Sequence, residues 1–173
     1  MTWEAEARLG GRGDHVVSRA RRGTGPPVVL KATLPGATAA ERAALRREGR
    51  LLDRLRGEGV VELLDVVDQR RRTTLVLGFV PFAVAADEAV ADLPGLAEVV
   101  ERLRRAGVVH TALTPAHVLL TPDGRPVLCG FGAARRLPAY TSRRSRSSSV
   151  SRRTTRRASP SFTNTTGGRG TLL

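Results

Sequence analysis

Residues 108–132 read VVHTALTPAHVLLTPDGRPVLCGFG, and the rest of the chain is organised around them. His110 comes first, Leu113 follows it, and a second imidazole, His117, stands seven places after the first. The apolar run Val118-Leu119-Leu120 then meets the turn Thr121-Pro122-Asp123-Gly124, and a second apolar run covers 126–129. Two short apolar runs across a Pro-Asp-Gly turn predict a hairpin. It leads directly into Gly130-Phe131-Gly132. Upstream, Leu96, Val99, Val100 and Leu103 recur at helical spacing, and Gly107 is a stop signal. A helix over 93–106 therefore delivers the chain into this segment.

Farther upstream, the pattern changes to strands. Residues 5–20 predict two short strands around a Gly-rich turn, and PVVLKA at 27–32 predicts another. Lys31 in that strand is the only lysine among 29 basic residues. Thr38 and Glu41 form a capping box, which starts a helix running to about Arg56 and stopping at Gly57 and Gly59. Its apolar stripe carries Leu45, Leu52 and Leu55, with Glu48 in the same stripe. A carboxylate on a buried helix face is costly unless paired. Lys31, 17 residues upstream, is the expected partner; the alternative is that Glu48 lies at the stripe's edge and reaches water. Residues 59–68 and 73–80 are β-branched apolar runs joined by the polar turn Gln69-Arg70-Arg71-Arg72, which predicts a hairpin.

In this order, residues 9–137 resemble the serine/threonine protein kinases of bacteria. Val28-Val29-Leu30-Lys31 matches the kinase V-A-I-K, and Glu48 matches the helix acid that pairs with its lysine. His110 and Leu113 match the H and L of H-R-D-L-x-x-x-N, and residues 130–132 take the place of D-F-G. The Gly-rich loop is matched less fully. Counting back from Val17, only Gly10 falls on a glycine place, while a shift of one brings in Gly11 and Gly13 and loses the valine. A phosphate-binding loop and an ordinary hairpin turn are both open there.

The resemblance implies an α+β fold. A kinase-like N-lobe, a five-stranded antiparallel sheet plus one helix, takes residues 1–81. The hinge, an E-like helix, the degenerate catalytic loop and the Gly-Phe-Gly hairpin take 82–137, only the start of a helical C-lobe, so the kinase pattern is truncated. It also implies nucleotide-binding places at Lys31, Glu48, Gly10, Val17, Phe79 and Val80, with ATP as the ligand. The chemical letters depart from the family. Ala112 stands where the catalytic Asp would be, His117 where the metal-binding Asn would be, and Gly130 where the metal-binding Asp would be. No catalytic residue is intact. Loss of the base and both metal ligands implies impaired phosphotransfer and no Mg²⁺ site.

Formal net charge is +13. Residues 138–173 hold eight arginines and no Asp or Glu, leaving +5 for residues 1–137. That Arg/Ser/Thr-rich tail has no hydrophobic period, and its composition predicts disorder. Two readings of it stand. It is a basic segment for non-specific contact with nucleic acid or an acidic surface, or it is read from a shifted frame of GC-rich DNA. Cys129 is the lone cysteine, so no internal disulfide forms, and a reducing compartment fits. Its spacing with His110 and His117 matches no common zinc pattern, so a packed histidine and a buried cysteine are expected. Neither a signal peptide nor a membrane-spanning run is present in the sequence, which points to the cytoplasm.

Three functions follow from these readings. The leading one is a regulatory or scaffolding kinase-like module with weak ATP binding and a protein partner in a signalling pathway. The second is a fragment of an active, atypical serine/threonine kinase. The third is a nucleic-acid binder that uses its basic tail.

Overall fold

The computed structural model describes residues 3–11, 13–83 and 93–137. Arg12, the acidic Ala-rich segment 84–92 and the tail 138–173 lie outside the described residues, as do the expectations placed on them. Five strands form one antiparallel sheet: β1 (Glu4–Gly10), β2 (His15–Arg21), β3 (Val28–Thr33), β4 (Leu63–Gln69) and β5 (Arg72–Gly78). Their order is β1-β2-β3-β5-β4. The helix α1 (Ala39–Arg54) connects β3 to β4 and packs on β3, β4 and β5. The α+β class and the five-stranded sheet with one main helix are as the sequence implied.

Side chains of directly opposed residues in a ladder share a face. Val17 opposes Lys31, and Lys31 opposes Leu75; Arg19 opposes Val29, and Val29 opposes Leu77. These two rows face the α1 side. On the other face, Ala20, Val28 and Val76 are buried together, and Trp3 packs against them. Trp3 thus has the packing role expected of it.

Thr38 begins α1 with a complete capping box. Its hydroxyl accepts from the Glu41 N–H, and the Glu41 carboxylate accepts from the Thr38 N–H. Leu45 and Leu52 are buried beneath the helix with Glu48 and Gly49 between them. Gly49 permits the close approach, because a Cβ there would lie 2.9 Å from Leu75 Cδ2. A mid-helix glycine costs about 1 kcal/mol in propensity. The contact of α1 with the sheet offsets that cost.

The remaining elements are β6 (Phe82–Ala83), α2 (Leu96–Arg105), β7 (Val108–Val109), β8 (Val118–Leu120), β9 (Pro126–Leu128) and β10 (Arg135–Arg136). The expected hairpin is β8–β9, with β6 added beside β8. After Gly132 the chain returns so that β10 pairs with β7. One apolar core runs from Leu52 and Leu75 through Val99 and Leu103 to Leu128 and Phe131.

Two expectations change in detail. Residues 59–62 do not extend β4. Val61 N–H donates to Leu128 O, and Leu128 N–H donates to Gly59 O, so residues 59–61 are tied to β9 instead, while Glu62 O accepts from the Gly78 N–H of β5. In α2, Leu96, Val99 and Leu103 are buried, but Val100 is exposed. It lies past the edge of the stripe that the other three cover. Among the described residues, no helix is long and apolar enough to cross a membrane.

Candidate functional site

Lys31 sits in the middle of a central strand, and Glu48 sits one turn before Leu52 on the packed face of α1. The fold brings them together. Lys31 Nζ donates to both Glu48 oxygens at 2.8 Å, and both residues are buried. A buried ion pair is held by its geometry. Removing one partner leaves a stranded charge and costs about 3–5 kcal/mol. The pairing therefore locks α1 to β3 in one register.

The Gly130-Phe131-Gly132 segment closes against this pair. A Cβ on Gly132 would lie 3.4 Å from Glu48 Oε2 and 3.9 Å from Lys31 Nζ. Phe131 is buried in the core, with its ring edge-on to His110 at 4.7 Å. His110 Nε2–H donates to the Cys129 carbonyl at 2.8 Å, and burial holds its imidazole below the usual histidine pKa. It is thus a neutral, packed histidine, as expected. The Cys129 thiol is pushed up to about 11, with burial as the largest cause. It is an unreactive thiol at neutral pH.

Gly130 and His117 are complementary. Gly130 has φ +77°, a left-handed backbone. A Cβ built on it would lie 2.3 Å from His117 Cδ2 and 2.8 Å from His117 Nε2. The imidazole thus fills the space that a side chain at position 130 would need. His117 is held there by a 2.6 Å hydrogen bond from Nδ1–H to the Ala112 carbonyl. That partner assigns the proton to Nδ1. Ala112 itself presents only a methyl group.

Thr111 has φ +64°, the only non-glycine positive φ among the described residues. A β-branched residue in that region is strained. Its hydroxyl donates to the Ala133 carbonyl at 2.8 Å, which ties the loop to the segment after Phe131. Asp123 lies in the hairpin turn, where Thr121 and Arg125 hold its carboxyl below the usual range. That is the turn role expected for it.

At the other end of the sheet face, Gly10 is the last residue of β1 and directly opposes Val17. A Cβ on Gly10 would meet nothing within 4 Å. The glycine that the turn demands is Gly11, where φ is +119° and a Cβ would lie 2.5 Å from His15 O. Phe79 and Val80 follow β5. Val80 packs on the core, and the Arg19 guanidinium lies over the Phe79 ring at 5.0 Å.

Sequence reasoning missed the packing role of Gly49, the turn role of Gly11, which it had weighed only as a phosphate-loop glycine, and the left-handed backbone of Thr111. A glycine inside an amphipathic helix and a Gly-x-Gly turn were available signals for the first two. Nothing local marks Thr111.

Comparison with curated proteins finds a partial match to kinases. The chain is 31% identical over 99 residues to the hormonally up-regulated neu tumor-associated kinase of Homo sapiens, covering 51% of this chain and 14% of that protein. The Pan troglodytes protein of the same name gives the same figures. The matched stretch is thus a small part of these relatives. No family model matches the sequence. The five-stranded sheet, its one main helix and this similarity fit a kinase-like N-lobe.

Proposed function

We propose that this chain is a catalytically impaired, kinase-like regulatory or scaffolding module with weak nucleotide binding. In this reading residues 1–81 are the N-lobe, 82–137 are the hinge and degenerate catalytic segment, and 138–173 are a basic tail. The Arg-rich, Lys-poor usage suggests a GC-rich genome. The observation that carries the impaired reading is the seating of His117 against Gly130. A kinase needs oxygen ligands for Mg²⁺ at these two places, and a hard cation favours carboxylate and carbonyl oxygens. Here one place has no side chain, and the other is an imidazole whose Nδ1–H is engaged. The donor set does not fit Mg²⁺. Ala112 accepts no proton, and loss of a general base costs about 10²–10⁴ in rate.

The nucleotide side of the proposal rests on the face that carries Lys31. Val17, Val29 and Leu77 give that face apolar cover for a base, and Lys31 supplies the charge for phosphate. Its salt bridge with Glu48 orients the ammonium. ATP held there has no metal clamp, so its binding is weak.

The test is calorimetric titration with ATP, with and without Mg²⁺, beside a radiolabel transfer assay on a generic protein substrate. The expected result is weak binding that is indifferent to Mg²⁺, lost in Lys31→Met, with no transfer. Mg²⁺-dependent transfer that vanishes in Lys31→Met would falsify the impaired reading and favour a fragment of an active kinase. Absence of binding in every condition leaves a scaffold alone.

A further inference from the structure

Arg19 occupies an unexpected place for a surface cation. It opposes Val29 in the ladder, and Val29 lies two residues before Lys31 on the same face. It is displaced from Val17 away from the Gly11–Gly13 turn and toward Phe79. The row Arg19, Val29 and Leu77 runs beside the row Val17, Lys31 and Leu75, and Phe79 follows Leu77 two residues on. If phosphate lies at Lys31, the base end of the same face is where Arg19 and Phe79 stand.

The guanidinium is held there from two sides. It covers the Phe79 ring at 5.0 Å, a cation–π contact. Its Nε lies 2.9 Å from Glu6 Oε2, an ion pair without the alignment of a hydrogen bond. Glu6 is shared, since its other oxygen takes Arg21 Nε at 2.9 Å. One carboxylate thus serves two guanidinium groups, and a positive charge is left over. An arginine offers donors and no acceptor. Guanine presents two acceptors, O6 and N7, on one edge, whereas adenine presents N7 beside the N6 amino donor. A donor-only fork complements the first edge and meets a like group on the second.

We infer that Arg19 is a specificity-determining residue that sets this sheet face to take guanine nucleotides in preference to adenine nucleotides. This rests on the nucleotide-binding reading above and names the base for that site. Glu6 and Phe79 act as positioning residues, since they hold the guanidinium plane before any ligand arrives.

The experiment is titration of the full chain with GDP and with ADP, both in EDTA, for the wild type, Arg19→Leu and Lys31→Met. The wild type should bind GDP about tenfold more tightly than ADP. Arg19→Leu should bring that ratio close to one. Lys31→Met should weaken both nucleotides together. Equal affinities in the wild type, a preference for ADP, or a GDP preference that survives Arg19→Leu overturns the assignment of Arg19 and leaves the nucleotide-binding reading standing. Failure of the wild type to bind either nucleotide overturns both. A thermal melt checks that Arg19→Leu is folded, and Arg19→Gln replaces it if not. The wild-type ratio tests the inference without any variant.

Discussion

Gly130→Ala adds one methyl group at a point that His117 already fills. The added Cβ would lie 2.3 Å from His117 Cδ2, against an ordinary carbon–carbon contact of about 3.5–4.0 Å. The ring must therefore move by more than about 1 Å. It is not free to do so, because Nδ1–H is bonded to the Ala112 carbonyl at 2.6 Å. Overpacking costs about 1–3 kcal/mol, and a broken hydrogen bond adds about 1 kcal/mol. The left-handed backbone at φ +77° adds about 1–2 kcal/mol for any side chain. The expected total is about 3–6 kcal/mol. In a His117→Ala background only the backbone part remains, about 1–2 kcal/mol. The coupling between the two sites should thus be about 2–4 kcal/mol. Urea unfolding of the wild type, both single variants and the double variant measures it by linear extrapolation. If Gly130→Ala costs the same in both backgrounds, the imidazole does not fill this position, and the argument against a carboxylate there fails with it.

His110 gives a pH dependence with a definite sign. Burial lowers its pKa in the folded state, so the unfolded chain binds more protons below about pH 6.5, and stability falls as pH drops through that window. Melting temperature between pH 7.5 and 5.5 should decline, and His110→Gln should flatten the decline. Cys129, pushed up to about 11, should resist iodoacetamide at pH 8 in the folded protein and react at the rate of a free thiol in urea; equal rates in both states would show an open site. Gly49→Ala trades about 1 kcal/mol of helix propensity against a contact at 2.9 Å with the buried Leu75. A net loss of up to about 2 kcal/mol is expected in urea unfolding, and a stabilised variant would show that α1 can lift off the sheet without cost.

Much of this protein was legible from local pattern. The capping box at Thr38, the apolar stripe of α1, the β-branched runs and the Pro-Asp-Gly turn each depend on neighbours a few residues apart, and each formed the element expected, except that the run from residue 59 enters its strand only at Leu63. The Lys31–Glu48 pair was legible too, because a lone lysine in a central strand and an acid on a buried helix face leave each other as the natural partner. What only the tertiary structure decided lies between segments. Residues 59–61 read as strand but bond to β9, since a β-branched run does not name its partner. Position 130 reads as a missing ligand, yet its fit to His117 emerges only when the loop at 110–117 and the hairpin are folded against each other. Thr111 takes a left-handed backbone because the loop must turn between β7 and the 3-10 turn at Pro115–His117 while its hydroxyl reaches Ala133. Arg19 reads as one more arginine in an arginine-rich chain. Its strand register and the ring of Phe79, some 60 residues later, turn it toward the face that carries Lys31. Periodicity acts over a turn of helix or a pair of strand residues, whereas close packing acts between whatever surfaces the fold brings together.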